Sequence, residues 1–142
     1  MLEISTENTR LNIPLIHKYL SEESYWGLGI PLNTVKTSID NSLCFGMYLN
    51  NEQIGFARVI TDKATFAYLA DVFILNDFRG LGYSKKLVET IVNHPSLQGL
   101  RRLMLATADA HTLYEKFGFT ALSKPERIME IMLSNPYQPR NS

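Results

Sequence analysis

The spacing of apolar and polar positions divides the chain into helical and extended segments. In "NIPLIHKYL" the apolar residues recur at helical spacing after Asn12, which can cap a helix, and Pro14 falls in its first turn. A second helical stripe runs from about residue 32 to residue 41. The sequence therefore predicts two helices ahead of the first long strand, joined by a glycine-containing connection that carries Tyr25 and Trp26.

Three runs of β-forming residues follow, separated by short polar turns. "SLCFGMYL" and "QIGFARVI" flank a turn at residues 50–52, which is the pattern of a β-hairpin, and a second turn at residues 61–63 leads into "ATFAYLADVFIL". This third run is almost wholly apolar, as expected of a central strand covered on both faces, and its lone charge is Asp71. The pattern predicts an antiparallel meander of three strands.

The second half of the chain alternates between helical and extended patterns. A helix is predicted from about residue 81 to residue 93, where Pro95 ends it, and "RRLMLATA" is typical of a strand. Another helix follows from about residue 109 to residue 117, with Gly118 as its C-terminal cap. Two final strands are predicted near "FTAL" and "RIMEIML", followed by a loose tail from about residue 134. Residues 1–142 are therefore expected to form one α+β domain.

Composition limits the partners that the chain can attract. Its 14 basic and 14 acidic residues give a formal net charge of zero, so no global field favours nucleic acid or an anionic membrane surface. No apolar run approaches the ~20 residues that a membrane-spanning helix needs. We therefore expect a soluble protein of the cytoplasm without a membrane partner, and we disfavour a nucleic-acid partner.

Cysteine and histidine are too few and too scattered for a disulfide framework or a metal site. The single cysteine, Cys44, lies in the apolar run "LCFGMY", where no basic residue flanks it to lower its pKa. The three histidines stand far apart along the chain, without the spacing of metal ligands. We expect a buried, inert thiol and no metal site.

The junction between the third apolar run and the next helix carries the strongest chemical signal. In "DFRGLGYSKK", Gly80 and Gly82 permit a tight turn and the close approach of another group, and the helix start offers free N–H groups to an anion. Arg79, Lys85 and Lys86 add positive charge where the helix dipole disfavours it, so an anionic ligand would compensate them. A plain glycine turn with solvated lysines is the alternative. Neither a Walker loop nor a dinucleotide-binding glycine pattern matches.

Two motifs in this part of the chain resemble those of the GCN5-related N-acetyltransferase (GNAT) family. The first, Arg/Gln-x-x-Gly-x-Gly/Ala after a long central strand, is matched by residues 79–84, with Ser84 in place of the final glycine or alanine. The second, Ala-x-x-Leu/Phe-Tyr-x-x-x-Gly-Phe, is matched by "AHTLYEKFGF" at residues 110–119. The resemblance covers about residues 10–133. It implies the GNAT acyl-CoA N-acyltransferase fold, with a mixed central sheet of about six to seven strands flanked by about four helices.

The resemblance further implies that acetyl-CoA is the cosubstrate. Its pyrophosphate is expected on the backbone N–H groups of the glycine turn, and its pantetheine arm on the backbone at the end of the third meander strand. The residues expected to bind it are Val72, Phe73, Ile74, Arg79, Gly80, Leu81, Gly82, Tyr83, Ser84, Lys85 and Thr107, the last in the region where the family often has an asparagine. Tyr114 matches the family's general acid, which protonates the departing thiolate.

The sequence alone leaves open which groups bind and deprotonate the acceptor amine. Asp71 has three possible roles: a general base whose pKa is raised by burial, a binding group for the substrate ammonium, or a hydrogen-bonded structural residue. A relay of water molecules is another candidate for the general base. Tyr25 and Trp26 lie in the region that sets acceptor specificity in the family, where they either line an amine pocket or pack in the core. The acceptor is expected to be a small-molecule amine or an amine of a protein or peptide.

The leading hypothesis is therefore an acetyl-CoA-dependent N-acetyltransferase that moves an acetyl group to a primary amine by direct attack on the thioester. The alternative is a catalytically silent CoA-binding regulatory module on the same fold. Homodimers are common in families of this kind, so a homodimer is one expected state. Both the oligomeric state and the range of acyl groups stay open.

Overall fold

The computed structural model describes residues 1–137, so residues 138–142, the end of the predicted loose tail, lie outside the described part of the chain. The strands are β1 (Leu2–Ser5), β2 (Leu43–Leu49), β3 (Glu52–Thr61), β4 (Phe66–Ile74) and β5 (Arg102–Leu105). The helices are α1 (Ile13–Lys18), α2 (Leu32–Asp40), α3 (Tyr83–Val92) and α4 (His111–Glu115). Short helical turns lie at Asn8–Arg10, Tyr19–Glu23, Asn76–Phe78, Pro95–Leu97 and Pro125–Arg127.

The five strands form one mixed sheet in the order β1-β2-β3-β4-β5. Strands β1 to β4 are antiparallel neighbours, and β5 lies parallel to β4 after a crossover through α3. The predicted meander is confirmed as β2, β3 and β4, and the predicted strand–helix–strand crossover is confirmed as β4, α3 and β5. No pattern in the sequence predicts β1, because the four residues "LEIS" are too few for a clear alternation.

The C-terminal part of the chain corrects the prediction of two final strands near "FTAL" and "RIMEIML". Every residue from 120 to 136 is exposed, and the structure describes no strand after Leu105, so the sheet has five strands rather than six to seven. The apolar pattern of residues 128–133 is typical of a strand, but a strand also needs a neighbouring edge for its backbone hydrogen bonds. Within residues 1–137, no edge pairs with this segment.

Two apolar clusters pack on opposite faces of the sheet. One contains Leu87 and Ile91 of α3, and the other contains Val35 of α2. Phe56 and Ala57 are neighbours on β3 but belong to different clusters, because successive side chains of a strand point to opposite faces. The sheet is therefore covered by helices on both faces. Helix α3, which begins directly after the glycine turn, covers one of the two faces.

The described residues offer neither an activated thiol nor a metal cluster. Cys44 is buried in the cluster that contains Val35, and burial raises the pKa of its thiol to about 12. Within residues 1–137, no group of three or more His, Cys, Asp or Glu side chains is placed to hold a metal ion. In the same part of the chain, no helix is both long and apolar enough to cross a membrane.

Strand β4 departs from regular geometry at Asp71. The pairing register shifts there, so that two residues of β4, Asp71 and Val72, lie opposite only Ala57 of β3. Asp71 takes a positive φ of 54° to accommodate the extra residue. A β-bulge of this kind bends its strand and re-aims the neighbouring side chains. This one lies where a cleft opens in the sheet.

Candidate active site

The cleft lies between β4 and β5. The last residue pairs between these two strands are Tyr68 with Met104 and Leu69 with Leu105, whereas β4 continues to Ile74. Beyond Leu69, β4 has no hydrogen-bonded neighbour on this side within the described residues. Its backbone N–H and C=O groups are therefore available to an extended ligand, which can pair with this edge as another strand would.

The glycine turn follows β4 and leads into α3. Gly80 and Gly82 take φ values of 78° and 83°, and Gly82 is the N-cap residue of α3, which therefore begins at Tyr83, later than predicted. Within the described residues, the backbone N–H groups of residues 80–85 have no hydrogen-bond acceptor. A Cβ added at either glycine would meet nothing within 4 Å. The turn is thus an open set of donors at the positive end of a helix, which is suited to a phosphate group.

The cations around this turn take different positions. Nε of Arg79 donates to the carbonyl oxygen of Ile74 at 3.1 Å, and its guanidinium also donates to the hydroxyl of Tyr19. These contacts tie the start of the turn to the end of β4. Lys85 lies beside Lys116, and the Lys85 ammonium lowers the pKa of Lys116 by direct contact and by charge repulsion. A bound polyanion would offset the repulsion between these two ammonium groups and would also accept hydrogen bonds from the free N–H groups next to them.

Tyr114 brings a protonated phenol to the cleft. Its side chain is 8% exposed, and burial raises the pKa of the phenol to about 12, with smaller contributions from Tyr25 and Asp109. The ring meets Phe119 edge to face, with the centroids 5.8 Å apart. Because α4 is short, this aromatic contact and the burial of the ring fix the position of the phenol. The hydroxyl stays protonated throughout the physiological pH range.

Asp71 is held by two donors from different parts of the chain. Trp26 Nε1 donates to Oδ1 at 2.7 Å, and Arg58 Nε donates to Oδ2 at 2.8 Å. Arg58 also donates to the hydroxyl of Ser42 at 3.2 Å. The side chains of Asp71 and Arg58 are only 11% and 16% exposed. Both carboxylate oxygens are engaged, so Asp71 fixes the bulge of β4 and the ring of Trp26 in place.

Tyr25 and Trp26 form a wall of a cavity of about 580 Å³, which is also lined by Asp71, Thr107 and Tyr114. The two rings meet edge to face with centroids 4.9 Å apart, and they are 59% and 41% exposed. This exposure places both rings at the surface of the cavity rather than in the core. The predicted acceptor residues and the predicted acid therefore share one cavity.

Two hydrogen bonds shape the loop between β5 and α4, which is part of this cavity. The hydroxyl of Tyr25 accepts from the N–H of Ala108 at 3.1 Å, and Thr107 Oγ1 accepts from the N–H of Ala110 at 3.0 Å. Thr107 thus fixes the backbone of Ala110, the N-cap residue of α4, and its hydroxyl proton is left for another acceptor. Tyr25 ties the connection between α1 and α2 to this loop.

The predicted residues fall into three groups in space. Tyr25, Trp26, Asp71, Val72, Thr107 and Tyr114 share the cavity, while residues 79–85 form the glycine turn and the start of α3. Phe73 and Ile74 are 4% and 6% exposed, so their side chains belong to the core and only their backbone is available to a ligand.

Sequence reasoning missed two charged residues near these groups, Arg58 and Lys116. Arg58 is the lone charge in the apolar run "QIGFARVI", one strand away from the lone charge Asp71, and two isolated opposite charges on adjacent strands are a signal for an ion pair. Lys116 lies inside the second motif, "AHTLYEKFGF", where it is not a motif position.

The fold combines a mixed sheet, a cleft between two parallel strands and a glycine turn at the start of the following helix. Residues 40–121 match the family model described as an acetyltransferase (GNAT) domain. This match covers more than half of the chain, so the chain belongs to the GNAT family. GNAT enzymes use acetyl-CoA as their acetyl donor.

Individual relatives agree with this assignment. The chain is similar over 98% of its length to the crystal structure of a GNAT-family protein from Xanthomonas campestris pv. campestris, with 50% identity and a TM-score of 0.95, and it covers 98% of that chain. It is 32% identical over 135 residues to a protein of Gibberella zeae provisionally named an acetyltransferase, covering 80% of this chain and 75% of that one. A Clostridium acetobutylicum protein solved with acetyl-CoA shares the fold, with a TM-score of 0.68 and 14% identity, over 97% of this chain and 100% of that one.

Proposed function

We propose that the protein is an acetyl-CoA-dependent N-acetyltransferase that transfers an acetyl group to a primary amine by direct attack on the thioester. The observation that carries this proposal is the unpaired edge of β4, which has the cavity with Asp71 and Tyr114 beside it and leads along the chain to the free N–H groups of the glycine turn. These features correspond to an edge for an extended arm, an acceptor pocket with a proton donor, and an anion site.

The chain's own residues fit acetyl-CoA, which supplies an activated acetyl group as a thioester. The N–H groups of residues 80–85 would hold the pyrophosphate, and Lys85 together with Lys116 would neutralise further phosphate charge. The backbone of β4 between Val72 and Ile74 would pair with the amides of the pantetheine arm. Arg79 would act on this site indirectly, by holding the turn against β4 and Tyr19.

Tyr114 would act as the general acid. As the bond between the acetyl carbon and sulfur breaks, the departing thiolate needs a proton, and the raised pKa of Tyr114 ensures that its phenol carries one. The attacking amine must be neutral, so its own proton is lost to water or to a group of the cavity before attack. Backbone N–H groups at the bulge of β4 would stabilise the negative charge that develops on the carbonyl oxygen.

The acceptor cavity favours an amine with apolar surface. Arg58 already neutralises the charge of Asp71, so the cavity presents the rings of Tyr25 and Trp26 rather than a net negative charge. Aromatic faces attract an ammonium group and also pack against the apolar part of its carrier. We therefore expect a small molecule with one primary amine, or a peptide or protein amine, to be a better acceptor than a polyamine.

An acetyl-transfer screen over small amines, amino acids, peptides and polyamines tests this function. Release of free thiol is measured for each amine, and mass spectrometry identifies the acetylated product, with reactions lacking an amine as the control for thioester hydrolysis. The proposal predicts amine-dependent thiol release together with a product heavier by one acetyl group. Binding of acetyl-CoA without transfer to any amine of the panel would instead support the silent CoA-binding module.

A further inference from the structure

The acceptor cavity reaches from one face of the sheet to the other. Tyr114 belongs to the apolar cluster that also contains Leu87 of α3. Arg58 lies on the opposite face, because it stands two residues after Phe56 on β3 and Phe56 packs in the cluster with Val35 of α2. Both Tyr114 and Arg58 line the cavity. The cavity therefore has one end near the proposed general acid and a second end beside α2.

The guanidinium of Arg58 has hydrogen-bond donors left for a ligand at this second end. Its Nε donates to Asp71 and its Nη1 donates to Ser42, which leaves three of the five N–H groups of a guanidinium without an acceptor among residues 1–137. The Arg58 side chain is only 16% exposed. Its Nη2 is nevertheless not sealed, because the hydroxyl of Tyr48 is the one unpartnered side-chain polar atom that is fully buried in the described part of the chain. The free N–H groups are therefore open to the cavity.

Two hydroxyl groups lie at the same end of the cavity. Tyr68 of β4 is a diagonal neighbour of Arg58, since Arg58 pairs with Ala70 and Tyr68 stands two residues before Ala70 on the same face. Thr34, on α2, also lines the cavity. Neither hydroxyl makes a hydrogen bond with the residues that the structure describes. Arg58, Tyr68 and Thr34 are named the donor end here.

The opposite end of the cavity carries a free negative charge. Asp109 lines the cavity near Tyr114, and after burial and Tyr25 its charge contributes to the raised pKa of the Tyr114 phenol. Within residues 1–137, the Asp109 carboxylate has no ion-pair partner, whereas the Asp71 carboxylate is paired with Arg58. The cavity is therefore polarised, with a carboxylate near the acid and free N–H and O–H groups at the donor end. A molecule with an ammonium group and an anionic oxygen group matches this polarity.

A carboxylate fits the donor end better than a phosphate or an alkyl group. The planar fork of a guanidinium matches the two oxygens of a carboxylate. Asp71 already places one negative charge on the Arg58 guanidinium, so a further single charge is accommodated more easily than the two charges of a phosphate monoester. An alkyl group would displace water from the free N–H groups without replacing its hydrogen bonds, which is unfavourable.

We propose that the acceptor is a small amino carboxylate, whose carboxylate accepts hydrogen bonds from Arg58 and Tyr68 and whose amine lies toward Asp109 and Tyr114. This inference rests on the proposed function, which makes the cavity the acceptor site. The cavity volume of about 580 Å³ is in the usual range of small-molecule sites. In the transfer, the amine nitrogen bonds to the acetyl carbon and loses a proton to water, the C–S bond breaks, and the thiolate takes the proton of Tyr114.

Matched amines test the preference for a carboxylate. Linear ω-amino acids of increasing length, and phenylalanine as an α-amino acid, are each compared with the corresponding amide and with the amine that lacks the carboxyl group. We expect kcat/KM for the best amino acid to exceed that for its decarboxylated partner by about 10-fold or more, because charge-assisted hydrogen bonds are lost. The amide should fall between the two. If the decarboxylated amine is acetylated as well as the amino acid at every length, the inference is wrong although the protein is an acetyltransferase.

Calorimetric titration separates this inference from the question of catalysis. The same compounds are titrated into the protein with CoA present, so that no acetyl group is transferred. The inference predicts that the best amino acid binds about 10-fold or more tightly than its decarboxylated amine. Such binding without transfer from acetyl-CoA would contradict the proposed function alone. Equal affinities, or no binding of any amino acid, would contradict the inference.

Two substitutions test the donor end. Tyr68→Phe removes one hydroxyl and leaves the pair of Asp71 and Arg58 intact, so the ratio of kcat/KM between an amino acid and its decarboxylated amine should fall by roughly 3- to 10-fold, through KM. Arg58→Lys keeps a cation beside Asp71 but removes the fork, and it should abolish the preference. Tyr48→Phe, which removes a buried hydroxyl outside the cavity, should keep the wild-type ratio. The proposal is overturned if Tyr68→Phe and Arg58→Lys both keep that ratio.

Discussion

The carboxylate of Asp71 and the guanidinium of Arg58 form an ion pair with an N–O distance of 2.8 Å across the bulge in β4. Each residue is the lone charge of its otherwise apolar run, "ATFAYLADVFIL" and "QIGFARVI". The second oxygen of the carboxylate accepts from Trp26, which forms a wall of the acceptor cavity. The pair therefore links the irregular backbone of β4 to the orientation of the aromatic wall.

Replacing Asp71 with Asn is expected to destabilise the protein. Asn tolerates the positive φ at this position, so the change removes the charge while keeping the backbone. The loss should be about 2 kcal/mol, between the values for exposed and buried pairs. This corresponds to a decrease of roughly 4–8 °C in Tm. Calorimetry of Asp71→Asn, Arg58→Met and the double variant measures the coupling, and strictly additive losses would contradict a direct interaction.

Replacing Tyr114 with Phe is expected to slow acetyl transfer by about 10²-fold or more, since a general acid typically contributes this much. Affinity for acetyl-CoA should change little, because only the hydroxyl is removed. Steady-state kinetics and a separate binding titration distinguish the two effects. Tyr48→Phe is the matched control, because it removes a buried hydroxyl that has no hydrogen-bond partner in the described part of the chain.

The raised pKa of Tyr114 also predicts how stability depends on pH. The pKa rises from an ordinary value near 10 to about 12 on folding. A raised folded pKa contributes stability that is complete below the unfolded pKa and is lost as the pH rises through the folded pKa. Denaturant titrations between pH 9 and pH 12 should therefore show a shallower loss of stability in Tyr114→Phe than in the wild-type protein. Equal slopes would mean that the phenol titrates normally in the folded protein.

The glycine turn should be more important for ligand binding than for folding. Gly82→Ala forces a side chain into the left-handed region at φ 83°, at a cost of roughly 1–2 kcal/mol, although the added Cβ meets no neighbour. We expect a similar loss of stability from Gly99→Ala, which has φ 74° and open surroundings away from the turn. Only Gly82→Ala should also weaken acetyl-CoA binding, as measured by calorimetric titration. Equal affinities of the two variants would argue against phosphate binding at the turn.

Lys85 should contribute to binding through charge. Lys85→Gln removes one of the two neighbouring ammonium groups, and we expect it to weaken acetyl-CoA binding by roughly 5- to 10-fold at low salt and less at high salt. Titrations at several ionic strengths measure the difference. Lys36→Gln, at an exposed position of α2, provides the control. If the two variants bind acetyl-CoA equally well, Lys85 does not contact a phosphate.

Local patterns were sufficient to predict the elements that build the cleft, but not the contacts between them. The β-forming runs of β2 and β3 around a short polar turn, the apolar run of β4 and the glycines before α3 are all encoded within a few residues. The bulge at Asp71 depends on the pairing with β3 and on Arg58, which is thirteen positions away along the chain. No local sequence pattern therefore predicts it. Residues 128–133 have a strand pattern, but no edge pairs with them among residues 1–137, and a local pattern cannot reveal whether a partner edge is present.

Binding of acetyl-CoA to the purified protein tests the central claim most directly. Calorimetric titration should give one site per chain, and a concentration near 100 times Kd should stabilise the fold by about 2.7 kcal/mol, which raises Tm by roughly 5–11 °C. The heat of binding should be strongly reduced in Gly82→Ala and retained in Gly99→Ala. Absence of both binding heat and a Tm increase at millimolar acetyl-CoA would contradict the assignment of the cleft as an acetyl-CoA site.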